Sequence, residues 1–179
     1  MLSPAKARSD RLQRSSSEKA ATVRALHVFA SLARGGAETW LMDVVRNVSR
    51  DELIIDVCLT TDSKGPYEDE FRSLGGVVYR CSMSRNPWLF AGRLRRLLLQ
   101  ERYDVIHSHL YYFSGVVLRA AVQAGVPQRV AHNHPIEDLK PGGLVRAAYT
   151  KWMRRWMCRY GTDFVGPTRA SLEAFWGPD

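Results

Sequence analysis

Apolar residues beyond position 22 alternate between short continuous runs and longer segments in which they recur with the period of a helix. The short runs are rich in β-branched and aliphatic residues, which is typical of strands buried on both faces of a parallel sheet. Strands are predicted at 24–30, 53–60, 77–81, 105–107, 129–132 and 164–166, and helices at 37–48, 67–74, 88–102, 114–124, 144–160 and 170–176. This alternating order predicts an α/β fold, a Rossmann-like parallel sheet flanked by helices.

Glycine and proline support several of these boundaries. Gly75-Gly76 ends the second predicted helix, Asn86-Pro87 begins the third, and Gly125 follows the fourth. Parallel strands joined by helices cross over in the right-handed sense, so the loops after the strands gather along one edge of the sheet. We expect ligands to bind at that carboxyl edge.

The first 22 residues have a different composition from the rest of the chain. Up to residue 24 there are six basic residues and two acidic ones, and this balance of +4 is half of the formal net charge of +8. Few large apolar residues accompany them, so this segment cannot offset the entropy cost of ordering itself. We predict a disordered basic leader at 1–22 and one domain at 23–179. A nucleic-acid partner is not expected, because only the net charge points to it.

No apolar stretch has the length of a signal peptide or of the roughly 18 residues that span a bilayer. Cys58, Cys81 and Cys158 are odd in number and widely spaced, which supports neither a disulfide framework nor a thiolate metal site. Small buried thiols are typical of a reducing compartment. We therefore expect a cytoplasmic protein.

Two His-x-His pairs follow the fourth and fifth predicted strands, His107-Ser108-His109 and His132-Asn133-His134. Residues at i and i+2 of a strand point to the same face, so each pair can line a cleft. Three interpretations stay open: a metal site, histidines satisfied within the structure, and a site for polar or charged ligands. Neither a nearby cysteine nor a carboxylate pattern completes a metal shell, so we expect no metal.

Gly35 and Gly36 lie between the first strand and the helix after it. Glycines there allow a ligand close to the backbone, and the free N–H groups of a helix start favour an anion such as phosphate. A tight turn is the alternative. The loop matches neither G-x-G-x-x-G nor a Walker loop, so nicotinamide binding and ATP hydrolysis lose support.

The order and spacing of these loops resemble the family-four retaining glycosyltransferases. The resemblance covers nearly everything after the leader, and the segments that carry it are LHV at 26–28, GGAET at 35–39, YDVIHSH at 103–109, GVP at 125–127 and RVAHNH at 129–134. It implies one half of a GT-B fold, the N-terminal domain that binds the acceptor. It further implies transfer of a sugar from a nucleotide sugar to a glycan or lipid-linked glycan, without a cofactor or a metal.

Residue roles follow from the same resemblance. Gly35 and Gly36 are expected to approach the donor phosphates, Glu38 begins the helix behind them, and His134 faces the reacting sugar as the catalytic residue. The other residues expected to contact substrate are Glu38, His107, His109, His132 and Asn133. The family's second domain, which holds most of the donor, has no counterpart in these residues. The alternative function is therefore a non-catalytic module that binds a glycan or a partner.

The predicted helix at 144–160 is amphipathic. Val145, Tyr149, Trp152, Trp156 and Tyr160 share one face, and Lys151, Arg154, Arg155 and Arg159 share the opposite one. We expect the aromatic face to pack on the core while the basic face meets solvent. The alternative is that this helix contacts an anionic membrane surface. The protein would then lie peripherally at the inner face of the membrane.

Overall fold

The structure of the protein is a computed structural model that describes residues 21–83, 86–133 and 143–176. The strands are β1 (Val23–Phe29), β2 (Leu53–Leu59), β3 (Val78–Arg80), β4 (Val105–Ser108), β5 (Gln128–His132) and β6 (Asp163–Val165). The helices are α1 (Gly36–Asn47), α2 (Glu68–Ser73), α3 (Pro87–Glu101), α4 (Ser114–Ala124), α5 (Leu144–Tyr160) and α6 (Arg169–Trp176). Each predicted element is present with both ends within one residue. A short 3-10 turn at Tyr111–Phe113 was not predicted.

The six strands form one sheet in the order β3-β2-β1-β4-β5-β6, and every adjacent pair is parallel. The predicted α/β fold is confirmed. The chain builds outward from β1 to β3 on one side and then from β4 to β6 on the other, so the strand order reverses between β1 and β4. Crevices that bind ligands open at this position, beyond the carboxyl ends of the strands.

Both faces of the sheet are covered, as its near-continuous apolar strands predict. On one face, Leu26 and Val28 pack with α3, α4 and α5. On the other face, Phe29 and Ile55 pack with α1 and α2. Alternation along β1 therefore places His27 on the same face as Phe29, toward α1.

A buried carboxylate lies in the half of the sheet away from the carboxyl edge. Asp56 on β2 accepts a hydrogen bond from the Tyr103 hydroxyl at 2.7 Å and another from the Val77 N–H at 2.9 Å. The Arg24 guanidinium lies 3.8 Å from the carboxylate and over the Tyr103 ring. Burial, followed by the hydrogen bond to Asp56 and the negative charge of that carboxylate, raises the pKa of Tyr103. This network joins β1, β2 and the segment before β4.

Helix ends follow the predicted punctuation. The Asn86 side chain accepts a hydrogen bond from the Trp88 N–H at 2.9 Å, with Pro87 in the first helical position of α3. Gly125 ends α4 with φ at +78°, a left-handed conformation that favours glycine. Within the part of the chain that the structure describes, no helix has both the length and the apolar character needed to cross a bilayer.

Helix α5 contacts the core differently from the prediction. Its buried residues are Met153 and Met157, while Val145 is 85% and Trp152 is 54% exposed. The expectation that the aromatic face packs on the core therefore holds for Trp156 and Tyr160, which pack against it partly buried, and is wrong for Val145 and Trp152. The physical reason is the close contact with α4 at Gly115, where an added Cβ would lie 2.9 Å from the Met153 carbonyl oxygen. That contact turns the methionines toward the core.

Candidate functional site

Four histidines from three adjacent strands meet at the carboxyl edge of the sheet. An N–H···N hydrogen bond joins His27 Nδ1 and His109 Nε2, which are 3.1 Å apart, and another joins His107 Nε2 and His132 Nδ1, which are 3.2 Å apart. The ring centroids of His107 and His109 are 4.4 Å apart. We call His27, His107, His109 and His132 the histidine cluster.

Strand register explains why these rings meet. His107 lies on β4 and His109 follows it, so the two point to the same face, as predicted. His27 on β1 lies directly opposite His107 across the parallel pair. His132 is the last residue of β5, on the other side of β4. Central placement of β4 therefore brings both neighbouring strands to one point.

The sequence interpretation gave His27 no role beside the two His-x-His pairs. His27 lies inside a strand, so its position relative to the pairs depends on which strands are neighbours. The signal that could have found it is the reversal of strand order between β1 and β4, which places those two strands side by side.

Trp40 on α1 covers the histidine cluster. Its ring centroid lies 5.8 Å from that of His132 and 6.0 Å from that of His107, in edge-on arrangements. The side chain is 43% exposed, so one side of it contacts the imidazoles and the other meets solvent. The role of Trp40 was also not predicted from the sequence, because an aromatic residue on a helix is more often part of the core.

Burial controls the charge of His27 within the cluster. His27 and His109 are only 5% and 6% exposed, whereas His107 and His132 are partly buried. Burial, with a smaller contribution from the charge of His132, lowers the pKa of His27 from 6.5 to about 3. His27 is therefore neutral at physiological pH, with one ring nitrogen that donates and one that accepts.

The helix start next to the cluster lacks a side-chain cap. Gly35 is the N-cap of α1, and its backbone is extended with φ at −103° and ψ at 172°. A Cβ on Gly36 would meet nothing within 4 Å. Neither glycine has a positive φ, so the backbone conformation alone does not require glycine at these positions. The first N–H groups of α1 have no partner within the helix and can bind an anion.

Glu38 lies in the first turn of α1, and its side chain folds back toward the start of the helix. A Cβ on Gly35 would collide with Oε2 of Glu38, so the carboxylate lies directly over the Gly35 backbone. A negative charge in the first turn is favourable for the helix dipole. A phosphate group at the same place would have to move this carboxylate aside.

The loop before Gly35 rests on the segment that leads into α2. The Tyr67 N–H donates to the Leu32 carbonyl at 3.2 Å, and a Cβ on Gly65 would collide with that carbonyl. The buried Glu68 carboxylate accepts from the Gly65 N–H at 2.8 Å and pairs with Arg80 at 2.6 Å. These contacts position the loop before the helix start.

Asn133 and His134 complete the set of predicted site residues. Asn133 is buried, and its side-chain N–H donates to the Ser171 carbonyl of α6 at 3.4 Å rather than joining the cluster. Its Oδ1 atom has no hydrogen-bond partner among the described residues. His134 lies outside the described residues. The structure therefore brings His107, His109 and His132 together near Trp40 and the start of α1.

Comparisons with known proteins indicate the family of this chain. Residues 35–177 match the glycosyl transferase 4-like domain. The capsular polysaccharide biosynthesis glycosyltransferase CapH of Staphylococcus aureus is 30% identical over 118 residues, covering 66% of this chain and 32% of CapH. The putative glycosyltransferase EpsF of Bacillus subtilis is 33% identical over 114 residues, covering 62% of this chain and 30% of EpsF. The chain thus spans about a third of these relatives.

Among solved structures, HepE from Anabaena in complex with UDP and glucose aligns with a TM-score of 0.59 and 18% identity. The alignment covers 86% of this chain and 40% of HepE. Likeness at this identity concerns the fold, and it matches the expectation of one half of a GT-B architecture. Because the family match spans most of the chain and the fold agrees with it, the protein belongs to the glycosyl transferase 4-like family.

Proposed function

We propose that this domain forms the acceptor side of a retaining glycosyltransferase that moves a hexosyl group from a nucleotide sugar to a glycan or lipid-linked glycan. The observation that carries the proposal is the meeting, at one edge of the sheet, of an uncapped helix start and the histidine cluster. The helix start provides free N–H donors for an anion, and the imidazoles provide hydrogen bonds for sugar hydroxyls. Trp40 joins the two, since it lies one turn beyond Gly36 and covers the cluster.

The proposed donor contact is between the diphosphate and the start of α1. The open space at Gly36 leaves room for close approach of phosphate oxygens to the backbone. HepE, whose fold is similar, was solved with UDP and glucose, which favours a uridine nucleotide as the first donor to test. Displacement of the Glu38 carboxylate by phosphate would make binding by this domain alone weak. We therefore propose that a donor-binding domain supplies most of the affinity.

His134 is the proposed catalytic residue. It lies two positions beyond His132, which ends β5 in the histidine cluster. As the bond between the sugar and the diphosphate breaks, a hydrogen bond from an imidazole to the reacting sugar can strengthen in the transition state. Groups of this kind typically contribute about 10²–10⁴-fold to the rate. No step of this proposal requires a metal or a cofactor.

Kinetics of the enzyme that contains this domain test the assignment. His134→Ala should lower kcat more than it raises KM for the donor, because the lost hydrogen bond belongs to the transition state. His132→Ala is the matched control on the same strand end and should have the smaller effect on kcat. If His134→Ala kept wild-type kcat while His132→Ala abolished transfer, the assignment would be wrong.

Calorimetric titration of the chain separates an enzyme domain from a binding module. With the chain alone, UDP-glucose should bind weakly, and Gly36→Val should weaken it further by obstructing the helix start. Tight binding of a glycan together with no transfer in any context would instead support the non-catalytic alternative.

A second proposal concerns the surface around α5, which we infer contacts the anionic inner face of a membrane. Val145 and Trp152 are strongly exposed on one side of the helix. Trp156 stands 5.2 Å from Trp152 and 5.8 Å from Trp88 of α3, measured between ring centroids. Arg119 lies over both Trp88 and Trp156. Exposed indole rings and arginines on one surface favour the interface of a bilayer.

The charge of α5 agrees with an anionic surface. The basic residues on this helix are Arg146, Lys151, Arg154, Arg155 and Arg159, and it carries no acidic residue. Each basic residue near an anionic surface contributes about 1 kcal/mol to binding at low screening. The exposed apolar side chains and the positive charge of α5 thus both favour contact with an anionic membrane.

Cosedimentation with vesicles tests this contact. The chain should bind phosphatidylglycerol vesicles more strongly than phosphatidylcholine vesicles, and added salt should release it. Trp152→Ser should reduce the bound fraction, whereas Val122→Ser, at an exposed apolar position on α4, is the matched control. Equal binding by Trp152→Ser and wild type, or no preference for the anionic lipid, would refute the contact.

A further inference from the structure

We propose that His27, His107 and His109 bind a divalent first-row transition metal, with zinc as the reference ion. One ring nitrogen from each of these three residues lies within 4.8 Å of the other two. Nitrogen ligands of this kind suit zinc and its neighbours, and three imidazoles with one open position make up a known type of zinc site. The inference goes beyond the proposed function and does not depend on it.

Backbone geometry supports the ligand set. His107 and His109 occupy positions i and i+2 and present their rings on the same face, 4.4 Å apart between centroids. The third imidazole comes from the adjacent strand, where His27 is in register with His107. His27 and His107 lie within the sheet, and His109 follows β4 with its N–H donating to the Val28 carbonyl at 3.0 Å. The site is therefore preorganised, which lowers the cost of binding an ion.

One nitrogen separation within the ligand set is close to that which zinc requires. With Zn–N bonds of about 2.0–2.1 Å, two ligands of a tetrahedral ion are roughly 3.3 Å apart. His27 Nδ1 and His109 Nε2 are 3.1 Å apart, and His107 offers a ring nitrogen within 4.8 Å of one on each of these two rings. His132 contacts the group through His107 and is not one of the three proposed ligands.

Binding needs only a rearrangement of protons within the rings. In the N–H···N pair of His27 and His109, one facing nitrogen carries a proton. When the ion binds, that proton moves to the other nitrogen of the same ring by exchange with water, and both facing nitrogens offer lone pairs. Each ring stays neutral, and no net proton is released. The neutral imidazole is the form that binds a metal ion.

The surroundings indicate which ions fit. The ligating group found among the described residues consists of imidazoles alone, without a carboxylate. Hard ions such as Mg²⁺ and Ca²⁺ prefer oxygen ligands and should bind poorly, while Zn²⁺, Co²⁺ and Ni²⁺ should bind. Trp40, which covers the cluster and is 43% exposed, lies on the path from solvent.

A metal ion bound here would contradict the expectation that no metal binds. That expectation rested on the two His-x-His pairs, for which no further ligand could be identified from the sequence. His27 is the ligand that the fold adds. A failure of the metal test would leave donor binding and sugar transfer untouched, so the two proposals can fail separately.

Titration of the purified full chain with Co²⁺ is the direct test, using a purification tag without histidines. We expect one ion per chain, a visible absorption spectrum typical of tetrahedral coordination, and its loss on adding Zn²⁺ but not Mg²⁺. His27→Gln and His109→Gln should each weaken binding by about 100-fold or more, since even the partners of ligands are worth 10–100-fold. Cys158→Ser, which removes an exposed thiol, is the control and should bind like wild type.

X-ray absorption at the zinc edge of the wild-type chain gives a second readout that needs no variant. Imidazole nitrogens at about 2.0 Å support the site. A shell that contains sulfur, a Kd above about 1 mM, or unchanged binding in both histidine variants overturns it. Circular dichroism of the metal-free variants shows whether they fold, and if they do not, the absorption spectrum of wild type decides.

Discussion

Lowering the pH should destabilise this domain through His27. In the unfolded chain this imidazole has its ordinary pKa of 6.5, while in the folded domain burial lowers the pKa to about 3. Between these two values the unfolded state binds a proton that the folded state does not. The part of the unfolding free energy that depends on neutral His27 is therefore fully present above pH 6.5 and is lost as the pH falls toward 3.

The size of the effect follows from the two pKa values. Within the window, each pH unit costs about 1.4 kcal/mol of unfolding free energy. Moving from pH 7 to pH 5 should thus remove about 2 kcal/mol, because little is lost before the pH passes the unfolded pKa. For a domain whose total stability is about 5–15 kcal/mol, this is a large fraction.

Urea unfolding at pH 7 and pH 5, with a chelator present to keep the protein free of metal, measures the loss. His27→Gln removes the titrating group and should show a smaller difference between the two pH values. Gly125→Ala is the matched control, since it strains the end of α4 without removing a partner of a titratable group and should keep the wild-type pH dependence.

The reasoning is refuted if wild type loses less than about 0.5 kcal/mol between the two pH values, or if His27→Gln loses as much as wild type. A direct check is the NMR signal of the His27 ring. Protonation of that ring in the folded protein near pH 5 would contradict the burial argument.

Three further predictions concern the stability of the fold and are measured by urea unfolding at pH 7. Tyr103→Phe removes a hydrogen bond to the buried Asp56 carboxylate and should cost about 2 kcal/mol, and a cost near zero would contradict that bond. Gly125→Ala places a side chain at a φ of +78° and should cost about 1 kcal/mol, whereas a stabilised variant would contradict the left-handed cap. Arg80→Ala leaves the buried Glu68 carboxylate without its ion pair and should cost about 2 kcal/mol, with Arg80→Lys recovering part of it.

The fold could be predicted because its signals are local. Short apolar runs and glycine or proline boundaries such as Gly125 define each element without knowledge of its neighbours. The face by which α5 contacts the core could not be predicted in this way. Its orientation depends on the close approach to Gly115, a contact between two helices that no single segment encodes.

Only part of the candidate site could be predicted, for a similar reason. His107 and His109 are separated by one residue on a strand, so their shared face follows from the sequence. His27 and Trp40 reach the same place through strand order and through packing of α1 on the sheet. The catalytic role of His134 stays a prediction.

Helix α5 is anchored unevenly, and this has a consequence for its dynamics. Residues 144–148 are exposed, Tyr149 is 43% exposed, and full burial begins only at Met153. Helical segments that bury little depend on intrinsic propensity, which is marginal over two turns in water. The first turns should therefore open with a free energy near zero, and their amides should exchange with solvent far faster than those of α4. Slower exchange in these turns on adding anionic vesicles would show that a surface, rather than the sheet, completes this helix.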